Sequence, residues 1–264
     1  MNKFARMIDV LDLYSETDTL LTAEEIASRL QVSRPTAFRY ARELTIAGFL
    51  ANYSGRYSLG ARIITLDSRI RQSDPVLKAA RPVMKDLSAE TGCNSVLCRM
   101  YNDEVINVHD EAGYDDPYVN FSGRGRPLPL FRGSASTVMV ANLPTSRQKK
   151  MYLQHGKDRD VLARGQDWPA FRSFYEKVRK TGHYVSHQEI ESNTIGIGAP
   201  INVAHVGTVA TISLVFSADR LALLNEEGLA AVLKSGCADI ASELGALTET
   251  RPPLPSHPGE PAPK

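Results

Sequence analysis

The strongest constraint on this chain is a set of local signals that follow one another in order between residues 22 and 59. Thr22 stands before Ala23-Glu24-Glu25-Ile26, with a glutamate three positions on. That spacing lets hydroxyl and carboxylate satisfy the orphan amides of a helix start reciprocally, so it predicts a helix running to about Leu30. After the short turn Gln31-Val32, Ser33 is placed to cap a second helix, and Pro35 falls in a first turn where no amide is needed. Gly48 is placed to end that helix. Residues 49–53 and 56–59 then read as two short strands about the tight turn Ser54-Gly55.

Two helices and a hairpin in this order predict a winged helix-turn-helix. The crossing of two such helices needs a small residue, which Ala27 supplies, and apolar residues to hold it, which Ile26, Leu30, Val32, Ala37 and Leu44 supply. Gln31 sits in the turn where many such motifs carry glycine. The second helix divides into faces, with Ala37, Tyr40, Ala41 and Leu44 inward. Arg34, Pro35, Thr36, Phe38 and Arg39 occupy its outward N-terminal half, where a recognition helix meets base edges. Arginine suits that task because its planar fork donates two hydrogen bonds to guanine. Thr22 and Ser33 at helix starts, and Arg42, are candidates for phosphate contacts, and Arg56 at the hairpin tip for a wing contact. The whole chain carries a net charge of only +1, but residues 34–62 hold five arginines against one acid, Glu43. A basic segment in a neutral chain is a local electrostatic footprint, and the expected partner is double-stranded DNA.

With 264 residues, 42% of them apolar, a sizeable core can form. Three cysteines, Cys93, Cys98 and Cys237, show no paired or zinc spacing, which fits a reducing compartment. Charges arrive too early in Met1-Asn2-Lys3-Phe4-Ala5-Arg6 for a secretory leader, and no window approaches the ~18 apolar residues of a membrane span. A cytoplasmic protein without a membrane role is expected.

The organisation reads as an α+β chain: a DNA-binding domain over 1–60, a linker helix over 61–74, a second domain over 75–248, and a disordered tail over 249–264. The helical stripe of Phe4, Met7, Ile8, Leu11 and Tyr14 predicts a first helix over 2–15. In the second domain, helices are expected near 76–91, 133–142, 145–155, 167–181, 219–225 and 226–245. Strands are expected at 95–101, 104–111, 183–190, 194–203 and 208–217, with a Gly/Pro/Arg-rich loop over 113–129. Hairpins among helices suggest a mostly antiparallel sheet. The last 14 residues hold six prolines.

The chain resembles the IclR family of transcriptional regulators. The resemblance lies in Leu21-Thr22-Ala23-Glu24-Glu25-Ile26-Ala27, Pro35-Thr36-Ala37-Phe38-Arg39, Ala47-Gly48-Phe49-Leu50 and Gly55-Arg56-Tyr57-Ser58-Leu59-Gly60. It continues more loosely through Leu128-Pro129-Leu130, Ala141-Asn142-Leu143-Pro144 and Gly198-Ala199-Pro200-Ile201. It implies a GAF-like effector domain behind the linker, assembly into homodimers or tetramers, palindromic operators, and control by a small metabolite, often carboxylated or aromatic.

The resemblance also places an effector pocket. Where the family usually continues His-x-Thr-Ala-x-Gly-Lys, this chain has Phe131-Arg132-Gly133-Ser134-Ala135-Ser136-Thr137. Arg132 beside Gly133 and Ser134 at a helix N-terminus suggests an anion site made of guanidinium, amides and hydroxyl. Gly196, Gly198 and Ser213 map onto the other pocket walls. Gly196 and Val215, where some members carry polar side chains, suggest a pocket that is less polar or roomier near Gly196. The expected effector is an acid with an apolar or aromatic body.

His183, His187 and Glu189 share a strand face, but three candidate ligands in seven residues make no metal set, and no metal or cofactor is expected. His109-Asp110-Glu111 reads as a solvated strand end. No nucleophile elbow, P-loop or dinucleotide fingerprint is present, so a regulator is expected rather than an enzyme. Two other readings stay open: a C-terminal half that only oligomerises, and a redox sensor at Cys93 or Cys98.

Overall fold

The computed structural model describes residues 3–114 and 123–249, and the chain divides into two units, Met1–Asp74 and Pro75–Lys264. In the first, helix α1 (Lys3–Ile8) gives way to a single 3-10 turn at Leu11–Leu13. The helix expected over 2–15 is therefore cut short. Val10 is buried and the Tyr14 hydroxyl donates to the Tyr57 carbonyl at 3.0 Å. Reaching both contacts draws the chain off the helical path, so tertiary contact overrides local preference.

Strand β1 (Leu21–Thr22), too short to be legible, leads into α2 (Ala23–Leu30). The capping box forms: Glu25 N–H donates to Thr22 Oγ1 at 3.2 Å and Thr22 N–H donates to Glu25 Oε2 at 2.7 Å. Gln31 takes the left-handed conformation at φ 53°, the one that favours glycine. Helix α3 (Arg34–Ile46) starts after Ser33, whose side chain makes no capping bond; its hydroxyl pairs instead with Thr36 Oγ1 at 2.9 Å. Strands β2 (Leu50–Tyr53) and β3 (Arg56–Leu59) form the hairpin, and β1 adds to β3 with Leu21 opposite Tyr57. Ile26, Ala37, Ala41, Leu44 and Leu50 are each no more than 2% exposed and form the centre of this unit. Helix α4 (Ala61–Ser73) is tied to it by Gly60 N–H to Phe49 O at 2.7 Å and Arg62 N–H to Gly48 O at 3.2 Å. It has no buried residue of its own.

The second unit opens with α5 (Pro75–Thr91), β4 (Asn94–Tyr101), β5 (Glu104–Glu111) and β6 (Pro127–Leu128). Four helices follow: α6 (Ser134–Ala141), α7 (Thr145–His155), α8 (Arg159–Arg164) and α9 (Trp168–Thr181). Strands β7 (Tyr184–His187), β8 (Thr194–Val203) and β9 (Gly207–Ser217) and the long α10 (Glu226–Glu249) complete it. Helix α8 was not expected. The strand expected over 183–190 stops at His187, because Gln188 turns at φ 55°. The helix expected near 219–225 is a 3-10 turn, Ala218–Leu223. Of the expected tail, Glu249 ends α10 and 250–264 lie outside the described residues, as do 115–122 of the Gly/Pro/Arg-rich loop.

The six strands lie in the order β6-β5-β4-β9-β8-β7, every neighbour antiparallel. Strand alternation sorts the side chains into two layers. Ile195, Ile197, Ala199 and Ile201 of β8, with Ile212, Leu214 and Phe216 of β9, pack with residues of α5 and α10. Val96, Cys98 and Met100 of β4 pack on the other side with α6 and α9, where Phe171 is buried among Phe131, Tyr152, Trp168 and Tyr175. Every residue of α6 is buried.

Helix α6 approaches β8 so closely that a Cβ on Gly198 would lie 2.8 Å from the Ser134 carbonyl. Replacing Gly198 by alanine is therefore expected to destabilise the protein by about 1–3 kcal/mol. Chemical denaturation of the variant beside the parent checks this.

Candidate nucleic-acid interface and ligand cavity

On α3, Ala37, Tyr40, Ala41 and Leu44 are buried, and the opposite face presents Arg34, Pro35, Phe38, Arg39 and Arg42 to solvent, with Thr36 partly covered. Phe38 is 54% exposed, which is unusual for an aromatic side chain on a helix that has a core to join. Arg34 pairs with Glu24 of α2, and Arg39 lies over the Tyr40 ring at 5.8 Å. Arg56 is exposed beside the hairpin turn, where Ser54 and Gly55 both carry positive φ.

Arg62 and Thr22 are placed otherwise than the sequence suggested. Arg62 donates to the Ala47 carbonyl at 2.9 Å and stacks on Phe49, so it braces the start of α4. Thr22 was expected to contact phosphate, but its amide and hydroxyl both donate to the Glu25 carboxylate. A carboxylate already occupying that helix start repels a phosphate.

The second unit holds a cleft enclosing about 700 Å³ of empty space, its open mouth included. Its walls bring together Arg132, Gly133, Ser134, Gly196 and Ser213 from the sequence-derived set, with Val96, Cys98, Arg126, Leu128, Ser136, Ser186, Ile190, Glu191 and Val215. Gly198 is not among them; it is the packing glycine under Ser134. Nor is the cleft roomier at Gly196. A Cβ there would lie 2.7 Å from Ser134 Oγ and 3.0 Å from Ser186 Oγ, so the glycine makes room for two hydroxyls rather than for a ligand. Ser134 and Ser213 share a hydrogen bond at 2.9 Å. One of the two donates, and the other keeps its proton to offer elsewhere. Ser136 Oγ is buried and has no hydrogen-bond partner among the described residues.

Behind this wall the expected anion site is already filled by the protein. Glu189, just past β7, accepts from Gly133 N–H at 2.7 Å, from the Tyr184 hydroxyl at 2.6 Å and from Arg164. Arg132 is held by Asp160 at 2.8 Å and donates to the Glu189 carbonyl. The guanidinium and the Gly133 amide, read from sequence as ligand groups, are thus committed to Asp160 and Glu189, carboxylates that sequence separation hid. Burial pushes the Glu189 carboxyl up, but the hydrogen bonds from Arg164, Tyr184 and Gly133 outweigh it and hold the group below the usual carboxylate range. Burial, with the neighbouring Glu189, pushes Tyr184 up to about 12.

His187 faces Glu226 at 3.5 Å and Glu189 is engaged as described, so the three-ligand set does not converge. Among the described residues no group of three His, Cys, Asp or Glu side chains is arranged to hold a metal. His109 pairs with Glu111 at 2.7 Å on one strand face. Cys93, Cys98 and Cys237 are buried, and burial pushes the Cys98 and Cys237 thiols up to about 12, far from the reactive thiolate a redox sensor needs. Among the described residues no helix is long and apolar enough to cross a membrane.

Two family profiles match the chain. A profile for the IclR helix-turn-helix domain matches residues 5–52, and one for the bacterial transcriptional regulator IclR C-terminal domain matches residues 69–242. The HTH-type transcriptional regulator KipR of Bacillus subtilis is 27% identical over 235 residues, covering 85% of this chain and 90% of the relative. The p-hydroxybenzoate hydroxylase transcriptional activator of Acinetobacter baylyi is 23% identical over 221 residues, 82% of each chain. A crystal structure of an IclR homolog from Microbacterium hydrocarbonoxydans, complexed with 4-hydroxybenzoate, superposes with a TM-score of 0.76. It is 22% identical and covers 93% of this chain and 100% of that one.

The Glu189 cluster carries a pH signature. A carboxyl held below its unfolded value contributes stability that is fully present above the ordinary range near pH ~4.3 and is lost as pH falls toward the lowered value. Replacing Glu189 by glutamine is expected to lower thermal stability at neutral pH and to flatten its fall on acidification. Melting temperatures of both proteins across pH 3–7 check this.

Proposed function

The chain belongs to the IclR family of transcriptional regulators, and from that premise we propose that it binds specific operator DNA with an affinity set by a small carboxylate in the cleft of its second unit. The observation that carries the DNA half is the exposed face of α3. Arg39, Arg42 and Phe38 stand in solvent there, while the opposite face makes the core. Arg39 is the proposed base-reading side chain, Thr36 and Phe38 its neighbours at the base edges, and Ser33, Arg42 and Arg56 the phosphate and wing contacts. Arg34 joins them on release from Glu24. One helix reads only a few base pairs, so a homodimer or tetramer on a palindromic operator follows, with half-sites ~34 Å apart. Acting on DNA places the protein in the cytoplasm, and its role is regulation rather than catalysis.

The effector half is supported by a cleft whose walls mix apolar side chains with a few hydroxyls and arginine, the make-up of a small-molecule site. An acid with an apolar or aromatic body fits it. The 4-hydroxybenzoate bound to the Microbacterium hydrocarbonoxydans homolog makes that compound a sensible first probe.

Footprinting and gel retardation on the chain's own upstream region test the reading. Arg39→Ala is expected to weaken operator binding about 10- to 100-fold and to relax base preference at one position. Arg42→Ala should weaken specific and non-specific binding alike and reduce the salt slope by about one. Glu24→Gln, which frees Arg34, should tighten binding; unchanged affinity would remove Arg34 from the interface.

A further inference from the structure

We propose that Arg126, rather than Arg132, holds the anionic end of the effector, and that Glu191 is the protein carboxylate with which the effector competes. This assignment rests on the reading of the cleft as an effector site. Three arginines lie on or behind its walls, and they differ in what they already hold. Arg164 is partly buried and donates to the Phe131 carbonyl, the Tyr184 hydroxyl and Glu189. Arg132 is fixed by Asp160 at 2.8 Å. Arg126 faces Glu191 at 3.8 Å, longer than a hydrogen bond, and among the described residues its guanidinium makes none.

Its backbone, by contrast, is held firmly. The Arg126 carbonyl accepts from Asn107 N–H at 3.1 Å, and Gly125 N–H donates to the Asn107 carbonyl at 2.8 Å. The next residue, Pro127, lies opposite Ile106 as β6 joins β5. A cation whose main chain is fixed beside a cleft, and whose donors are unspent, is preorganised for an incoming anion.

Ser136 supplies an independent indication. Its hydroxyl is buried on the cleft wall without a partner among the described residues, a state that costs free energy unless something polar completes it. The effector is therefore a carboxylate that carries a second polar group on an apolar body. A monoanion is favoured over a phosphate dianion, because a single guanidinium facing Glu191 offsets no more than one added negative charge.

Calorimetric titration of the full-length protein with benzoate, 4-hydroxybenzoate and hexanoate, each beside its neutral amide, tests the assignment. Arg126→Ala is expected to lose about 10- to 100-fold in affinity for the acids and less than about twofold for the amides. Glu191→Gln should gain severalfold for the acids, Ser136→Ala should cost 4-hydroxybenzoate more than benzoate, and Arg132→Ala should change little. Unaltered thermal unfolding of Arg126→Ala excludes a folding defect, and Arg126→Lys should recover part of the loss. Loss of acid binding in Arg132→Ala with none in Arg126→Ala, or equal losses of acid and amide, overturns the assignment while leaving the effector site standing. Failure of every acid to bind the parent protein overturns the acid reading and this assignment together.

Discussion

The first unit depends on how closely α2 can cross α3. Ala27, Ala37 and Ala41 are small enough to let the two backbones approach, and Ile26 and Leu44 seal the crossing. With eleven buried apolar residues in this core among the described residues, a larger side chain at Ala37 or Ala41 would have no slack to displace. The crossing fixes which side of α3 faces out. Once Ala37, Tyr40, Ala41 and Leu44 are turned inward, helical geometry leaves Phe38, Arg39 and Arg42 no place but the surface. DNA recognition in this account is a by-product of core packing, because the residues that cannot enter the core are those that read the groove.

In the second unit the corresponding constraint is electrostatic. Glu189 reaches the amide before α6 and gathers Arg164 and Tyr184 around it. A partly buried carboxylate is tolerated because charged and neutral donors satisfy it from several sides. The result joins α6, the end of β7 and α8, and it positions the residues that follow Glu189, Ile190 and Glu191, at the cleft. That part of the cleft wall is thus held in place largely by groups behind it.

Much of this was legible in the sequence, and the misses share a cause. The capping box, the Ser54-Gly55 turn and the strand signals of β8 and β9 are local patterns, and they formed where their spacing put them. What failed involved partners distant in sequence. Arg132 looked available because Asp160 lies 28 residues away and Glu189 57 away. Gly196 looked like added space because nothing local says that Ser134 and Ser186 fill it. Arg126 falls within the Gly/Pro/Arg-rich loop expected over 113–129, where nothing local sets it apart from the other arginines. The signal that would have marked it, pairing of Pro127-Leu128 with Val105-Ile106, spans a strand of two residues. The truncated first helix has the same origin, since Tyr14 answers to Tyr57.

The central claim, that the outward side of α3 lies in a DNA groove and reads sequence, is tested most directly by one ratio. Affinity for the chain's own upstream region is divided by affinity for random duplex of equal length, at about 150 mM salt. The account predicts a ratio of about a thousand or more, as specific regulators require. A ratio near one, with both affinities falling equally steeply as salt rises, would mean that the arginine face is only a cationic surface and would contradict it.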